Sequence, residues 1–83
     1  MGQTFLIYPN PASDRINVRC DECNVRTFRI SDITGRTVSE ITANMTENAA
    51  VQIFLNGLTG GVYVLSGFEN EGRFVGAEKF RKY

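Results

Sequence analysis

The chain has 83 residues, nine basic and nine acidic side chains, and no histidine. One domain is expected, because two halves of about 40 residues would each lie near the limit for folding without staples. A hydrophobic fraction of 42% with 22% charged residues excludes disorder. The cancelled charge excludes a global field for nucleic acid or anionic lipid, and no apolar run approaches the roughly 18 residues of a spanning helix. The charge is unevenly spread: the first 36 residues are nearly balanced, Thr37–Gly72 holds only acids, and Arg73–Tyr83 holds Arg73, Lys79, Arg81 and Lys82 against Glu78. Pairing across neighbouring strands accounts for such a pattern.

Twenty Val, Ile and Thr residues stand beside six Phe and three Tyr, whereas Ala and Leu together number nine. Stiff branched side chains fit a pleated surface and crowd a helix. An all-β fold is therefore expected. Phe5–Tyr8 reads as a short strand stopped by Pro9-Asn10-Pro11, since proline lacks a ladder donor and fixes φ. Arg15–Cys20 alternates, with Ile16 and Val18 on one face. Asp21–Asn24 is a polar turn. Arg26–Ile30 turns Phe28 and Ile30 inward, and Asp32-Ile33-Thr34-Gly35-Arg36 is a hairpin turn, with Asp bonding local backbone and Gly at positive φ. Thr37–Thr42 is the return strand. Ala43–Ala49 reads as a long loop, containing the sequon-like Asn44-Met45-Thr46, a triplet that arises often by chance. Val51, Ile53 and Leu55 alternate with polar Gln52 and with Phe54. Val62–Leu65 is apolar on both parities, as for a central strand covered on both faces. Glu69–Gly72 is a second hairpin turn, and Arg73–Tyr83 is the last strand, its mixed parity predicting a bulge near Gly76. Seven short strands with regular turn signals predict an immunoglobulin-like β-sandwich of antiparallel strands. The form Leu58-x-x-Gly61-x-Tyr63 allows the tyrosine hydroxyl to return to upstream backbone while its ring is buried.

Chemistry is scarce. Without histidine there is no imidazole base, triad or histidine-bearing zinc site. Cys20-Asp21-Glu22-Cys23 sits on a strand-to-strand turn beside two carboxylates that raise thiol pKa, which disfavours a redox motif. Two cysteines fall short of a zinc knuckle. A local disulfide or two free thiols remain. Turn carboxylates read as solvated, and Gly60-Gly61 lacks the helix and Gly-Lys-Ser/Thr of a phosphate loop. No catalytic set, cofactor or metal site is expected. Met1–Thr4 shows none of the basic and long apolar regions of a signal peptide, so either a cytoplasmic protein or a piece of an exported chain with a start Met is expected.

Taken in order, Tyr8-Pro9-Asn10-Pro11-Ala12, Arg15-Ile16-Asn17-Val18, Asp32-Ile33-Thr34-Gly35-Arg36-Thr37-Val38, Leu58-x-x-Gly61-Val62-Tyr63-Val64-Leu65 and the terminal Glu78-Lys79-Phe80-Arg81-Lys82-Tyr83 resemble the type A C-terminal sorting domain of the type IX secretion system. The likeness spans residues 5–83, leaving 1–4 as a linker or added start. It implies a non-catalytic, monomeric secretion signal with an immunoglobulin-like fold. Its cargo lies N-terminal to it and is absent from this sequence. The implied route runs through the periplasm and an outer-membrane translocon to the cell surface or beyond, where a surface sortase removes or exchanges the domain. Carried over by position, Pro9, Asn10, Pro11, Asp32, Gly35, Leu58, Gly61 and Tyr63 are structural, and Lys79, Phe80, Arg81, Lys82 and Tyr83 form the element for recognition. Cys20 and Cys23 lie outside the usual pattern but suit an oxidising compartment as a possible disulfide. The alternative is a fibronectin-like or carbohydrate-binding accessory module of a secreted enzyme. The absence of Trp and the expected burial of Tyr63 weigh against it.

Overall fold

A computed structural model describes residues 5–20, 24–45 and 50–83. Seven strands follow one another: β1 (Leu6–Tyr8), β2 (Arg15–Arg19), β3 (Val25–Asp32), β4 (Thr37–Met45), β5 (Ala50–Phe54), β6 (Gly61–Phe68) and β7 (Phe74–Lys82). They form two antiparallel sheets, one of three strands in the order β1-β2-β5 and one of four in the order β4-β3-β6-β7. The all-β class and the sandwich are as the alternation predicted. No helix is present among the described residues.

The pleat sorts each strand into two faces. Ile16 and Val18 of β2, Phe28 and Ile30 of β3, Ile53 of β5 and Leu65 of β6 point between the sheets and are fully buried. Their neighbours Asn17, Thr27, Arg29 and Gln52 point outward. Phe5 closes one end of this core, edge-on to Phe28 with ring centroids 5.8 Å apart. Phe80 closes the other, stacked on Tyr63 at 5.8 Å. Such pairs add about 0.5–1.5 kcal/mol to the area they bury.

Several sequence expectations are revised. β4 continues to Met45, so residues 43–45 belong to a strand rather than to a loop; pairing of Val25 with Met45 carries the ladder there across a register shift. β6 is central in its sheet, yet no layer among the described residues covers its outer face, and Val62 and Val64 are only half-buried. The bulge falls at Val75, between the Phe68–Phe74 and Gly67–Gly76 pairs, one residue from the position expected. It lets both Val75 and Gly76 turn inward. Phe54, by contrast, sits at the outward position its alternation with Ile53 and Leu55 predicted, and is 57% exposed. Residues 21–23 of the expected Asp21–Asn24 turn, the sequon residue Thr46 and the rest of the segment 46–49 lie outside the described residues.

Gly67 explains how Phe5 fits. A Cβ built on Gly67 would lie 2.5 Å from Phe5 Cζ and 3.3 Å from Val25 Cγ1. The missing side chain is the slot for the ring. Gly67→Ala should therefore lower the midpoint of denaturant unfolding by the equivalent of about 1–3 kcal/mol through overpacking. In a Phe5→Leu background the same change should cost much less; equal costs in both backgrounds would show that the ring does not occupy the slot.

Candidate functional site

The motif residues gather at one end of the sandwich. Three turns and the last strand meet there. The first is the β3–β4 hairpin. Asp32 Oδ1 accepts the Thr34 hydroxyl at 2.6 Å, the Thr34 N–H at 3.0 Å and the Arg36 N–H at 3.1 Å. Main-chain bonds from Asp32 N to Arg36 O and from Gly35 N to Asp32 O close the loop, with Gly35 at φ 89°. Gly supplies that left-handed conformation without steric cost. The Thr34 hydroxyl above all holds the Asp32 carboxyl below its ordinary value; desolvation opposes it, and the Arg36 and Thr34 main-chain donors and the Arg36 charge add to the lowering.

The second turn precedes β6. Tyr63 pairs in register with Asp32 and sends its hydroxyl back to the Thr59 carbonyl at 2.6 Å. The ring is buried and its polar tip is satisfied. Gly57 makes the turn at φ 83°, and Leu58 N–H bonds Leu55 O at 3.1 Å. Between this corner and the hairpin runs a shallow groove of about 440 Å³ lined by Asp32, Arg36, Leu58 and Thr59 among others. The groove holds no nucleophile with a base beside it, and no cluster of three metal-ligating side chains occurs among the described residues.

The third turn is Pro9-Asn10-Pro11, in which the Tyr8–Pro9 and Asn10–Pro11 peptide bonds are cis. It lies along the outer edge of β7. Ala12 N–H donates to Arg81 O at 2.7 Å, Tyr83 N–H donates to Ala12 O at 2.9 Å, and Arg81 N–H donates to Asn10 Oδ1 at 3.0 Å. Ala12 is fully buried and bridges Lys82 in parallel fashion. The end of the chain rests on Gly60: a Cβ there would lie 2.7 Å from the Tyr83 carbonyl carbon. Gly61, by contrast, is extended and has open space where a Cβ would be. The residue that packing requires to be glycine is the one beside the motif position. A rule that reads only turn conformation does not find it, because the constraint comes from a residue 23 positions away.

The terminal strand does not present its residues together. Alternation places Lys79 and Arg81 on the outer face, opposite Val64 and Val62. Phe80 is 1% exposed and belongs to the core. It cannot be offered to a partner while the sandwich is intact. Lys82 points to the opposite face from Arg81 and gives its ammonium to the Tyr83 main-chain oxygen at 3.3 Å. Tyr83 is 75% exposed and is the accessible aromatic of residues 79–83. Expected pairing of tail cations with middle-segment acids is not seen: Lys79, Arg81 and Lys82 have no ion-pair partner among the described residues, while Arg29 of β3 pairs Glu40 of β4 at 3.1 Å. At the other end of the molecule Cys20 is buried and disulfide-bonded. Cys23 lies outside the described residues.

Two outcomes follow from this geometry. Because the folded-state pKa of Asp32 is depressed, its contribution to stability is fully present above the ordinary carboxylate value and is lost as pH falls through the folded value. Asp32→Ala should thus lower the melting temperature at neutral pH and narrow the difference between neutral and acid pH. Unchanged acid sensitivity would assign that dependence to other carboxylates. Gly60→Ala should push the chain end off its seat and speed amide exchange at Arg81 and Tyr83, with a cost of about 1–3 kcal/mol; wild-type exchange rates at both amides would show that the seat is not tight.

A search of curated proteins finds no match to this chain. A protein-family model described as the secretion system C-terminal sorting domain matches residues 6–79, from the first strand into the last. The match contains the proline corner, the Asp32 hairpin and the Tyr63 corner, the three turns that meet around the end of β7. The chain belongs to the C-terminal sorting domains of the type IX secretion system.

Proposed function

We propose that this domain is a non-catalytic address that carries an N-terminal cargo through the outer membrane, that a surface sortase afterwards removes or exchanges it, and that the basic terminal strand is what the export machinery recognises. The observation that supports this most is the convergence of the family's motifs on residues 81–83. The proline corner bonds them, Gly60 seats them, and Tyr63 stacks on Phe80 just before them. The proline corner and the turn before β6 both hold the tail in one conformation. A fixed tail can be read with little ordering cost on binding. Lys79, Arg81 and Tyr83 are the exposed side chains of that tail. The cations would steer encounter and fix register, while Tyr83 anchors the complex. Phe80 contributes from within, by holding the strand down. The domain acts as a monomer in this reading and needs no cofactor.

The alternative, a sugar-binding accessory module, has one surface in its favour. Tyr8 and Phe54 lie exposed on the outer face of the three-stranded sheet. Arg15 stands over the Phe54 ring at 5.9 Å, so one of the two platforms is already partnered. The export reading is preferred.

The test is a periplasmic reporter fused ahead of residues 1–83, in a host with the matching secretion system. The reporter should reach the medium or the cell surface; its retention in the periplasm would refute the assignment. The triple change Lys79→Ala, Arg81→Ala, Lys82→Ala removes two exposed charges and one half-exposed one, none of them ion-paired among the described residues, and such charges contribute little to folding. That variant should melt near the wild-type temperature and be secreted at least tenfold less. Secretion of a folded triple variant at the wild-type level would show that these cations are not the recognition element.

A further inference from the structure

The outer edge of β7 is half closed. An antiparallel strand turns the N–H and C=O of alternate residues to opposite edges. The bonds of Arg81 and Tyr83 to Asn10 and Ala12 show which edge their parity faces. Ala77 and Lys79 share that parity, so their four main-chain groups face the same way. β7 pairs with β6 along one side and with the proline corner at residues 81–83 on the other. Nothing among the described residues pairs the outer groups of Ala77 and Lys79. Both residues are exposed.

The charge around this open stretch has one sign. Lys79 and Arg81 stand on the outer face beside it without an ion-pair partner among the described residues, and Glu78 points to the other face. A second copy of the strand laid against it would bring cation to cation, which disfavours self-pairing. An acidic strand would meet no such barrier. The edge is also competent to bind main chain, since two residues further on it holds the proline corner at 2.7–2.9 Å.

We infer that the open edge at Ala77–Lys79 is a docking site for one extended, acidic segment of the export machinery, which adds to the four-stranded sheet as a fifth strand next to the proline corner. This rests on the sorting-signal reading and adds a claim to it: main-chain groups, and not only the basic side chains, carry recognition.

Proline at position 79 separates the two. The Lys79 N–H faces outward and takes no part in the ladder with β6, so an edge-strand proline there is compatible with the fold while it blocks an incoming strand. The cargo fusion would be made with Lys79→Pro and, as control for the charge, Lys79→Ala. Expected is a Lys79→Pro protein that melts within a few degrees of wild type but is secreted at least tenfold less than Lys79→Ala. A folded Lys79→Pro protein secreted as well as Lys79→Ala overturns the edge site. A wild-type fusion retained in the periplasm instead overturns the sorting reading itself. Should Lys79→Pro fail to fold, the isolated wild-type sequence and a synthetic peptide of alternating Glu and Val decide the matter by amide exchange. Slowed exchange at Ala77 and Lys79 with this peptide, and not with its Lys-Val counterpart, supports the site; no slowing with either overturns it.

Discussion

The main-chain clasp between residues 10–12 and residues 81–83 is the constraint on which the rest of this domain depends. It crosses from the segment that leaves the three-stranded sheet to the last strand of the four-stranded sheet, and it is short: three hydrogen bonds, one of them supplied by a side chain. Each such bond is worth about 1 kcal/mol net, and an unmade buried one costs more. The surroundings make the clasp specific. Ala12 is small enough to be fully buried under the last strand, and Gly60 leaves space for the final carbonyl. The Tyr63–Phe80 stack fixes the strand from the core side. Loss of the Ala12 or the Gly60 fit would free the tail without removing the hydrophobic layer between the sheets.

The two ends of the sandwich are thereby given different work. Phe5, where the described chain enters, packs over Gly67, and Gly67 lies seven residues along β6 from Gly60. At about 3.3 Å per residue that is roughly 23 Å, most of the 30 Å long axis. Phe5 thus lies toward one end, and the clasped tail is displayed at the other. A bulky cargo would not stand in front of the tail.

The fold was readable because the pleat writes burial into sequence with a period of two. Ile16 and Val18, or Phe28 and Ile30, declare their face without help from anything distant. The hairpin at Asp32 and the corner at Tyr63 were equally plain, since an Asx-type turn and a tyrosine returning its hydroxyl to backbone four residues upstream are local devices. What alternation could not show is which inward residues meet. Gly60 and Gly67 look like ordinary turn and strand glycines until Tyr83 and Phe5 are seen lying against them. The tail misleads in a similar way. Lys79, Phe80, Arg81 and Lys82 form one basic run as letters, but a strand divides them between two faces and sends Phe80 into the core. Val62 and Val64 show the reverse error: two apolar parities suggested a covering layer, whereas partial shielding by flanking strands suffices.

The clasp has a temporal side. Its halves are about 70 positions apart, and a ribosome delivers them in order, so the proline corner waits for its partner until residues 81–83 are made. A chain cut short between β6 and residue 81 would keep most of its strands yet lack the seated tail. An address assembled only from both extremes of the domain would thus report that the whole domain has been made. Cargo truncated by premature termination or proteolysis would carry no legible label, and the export route would be spared incomplete freight.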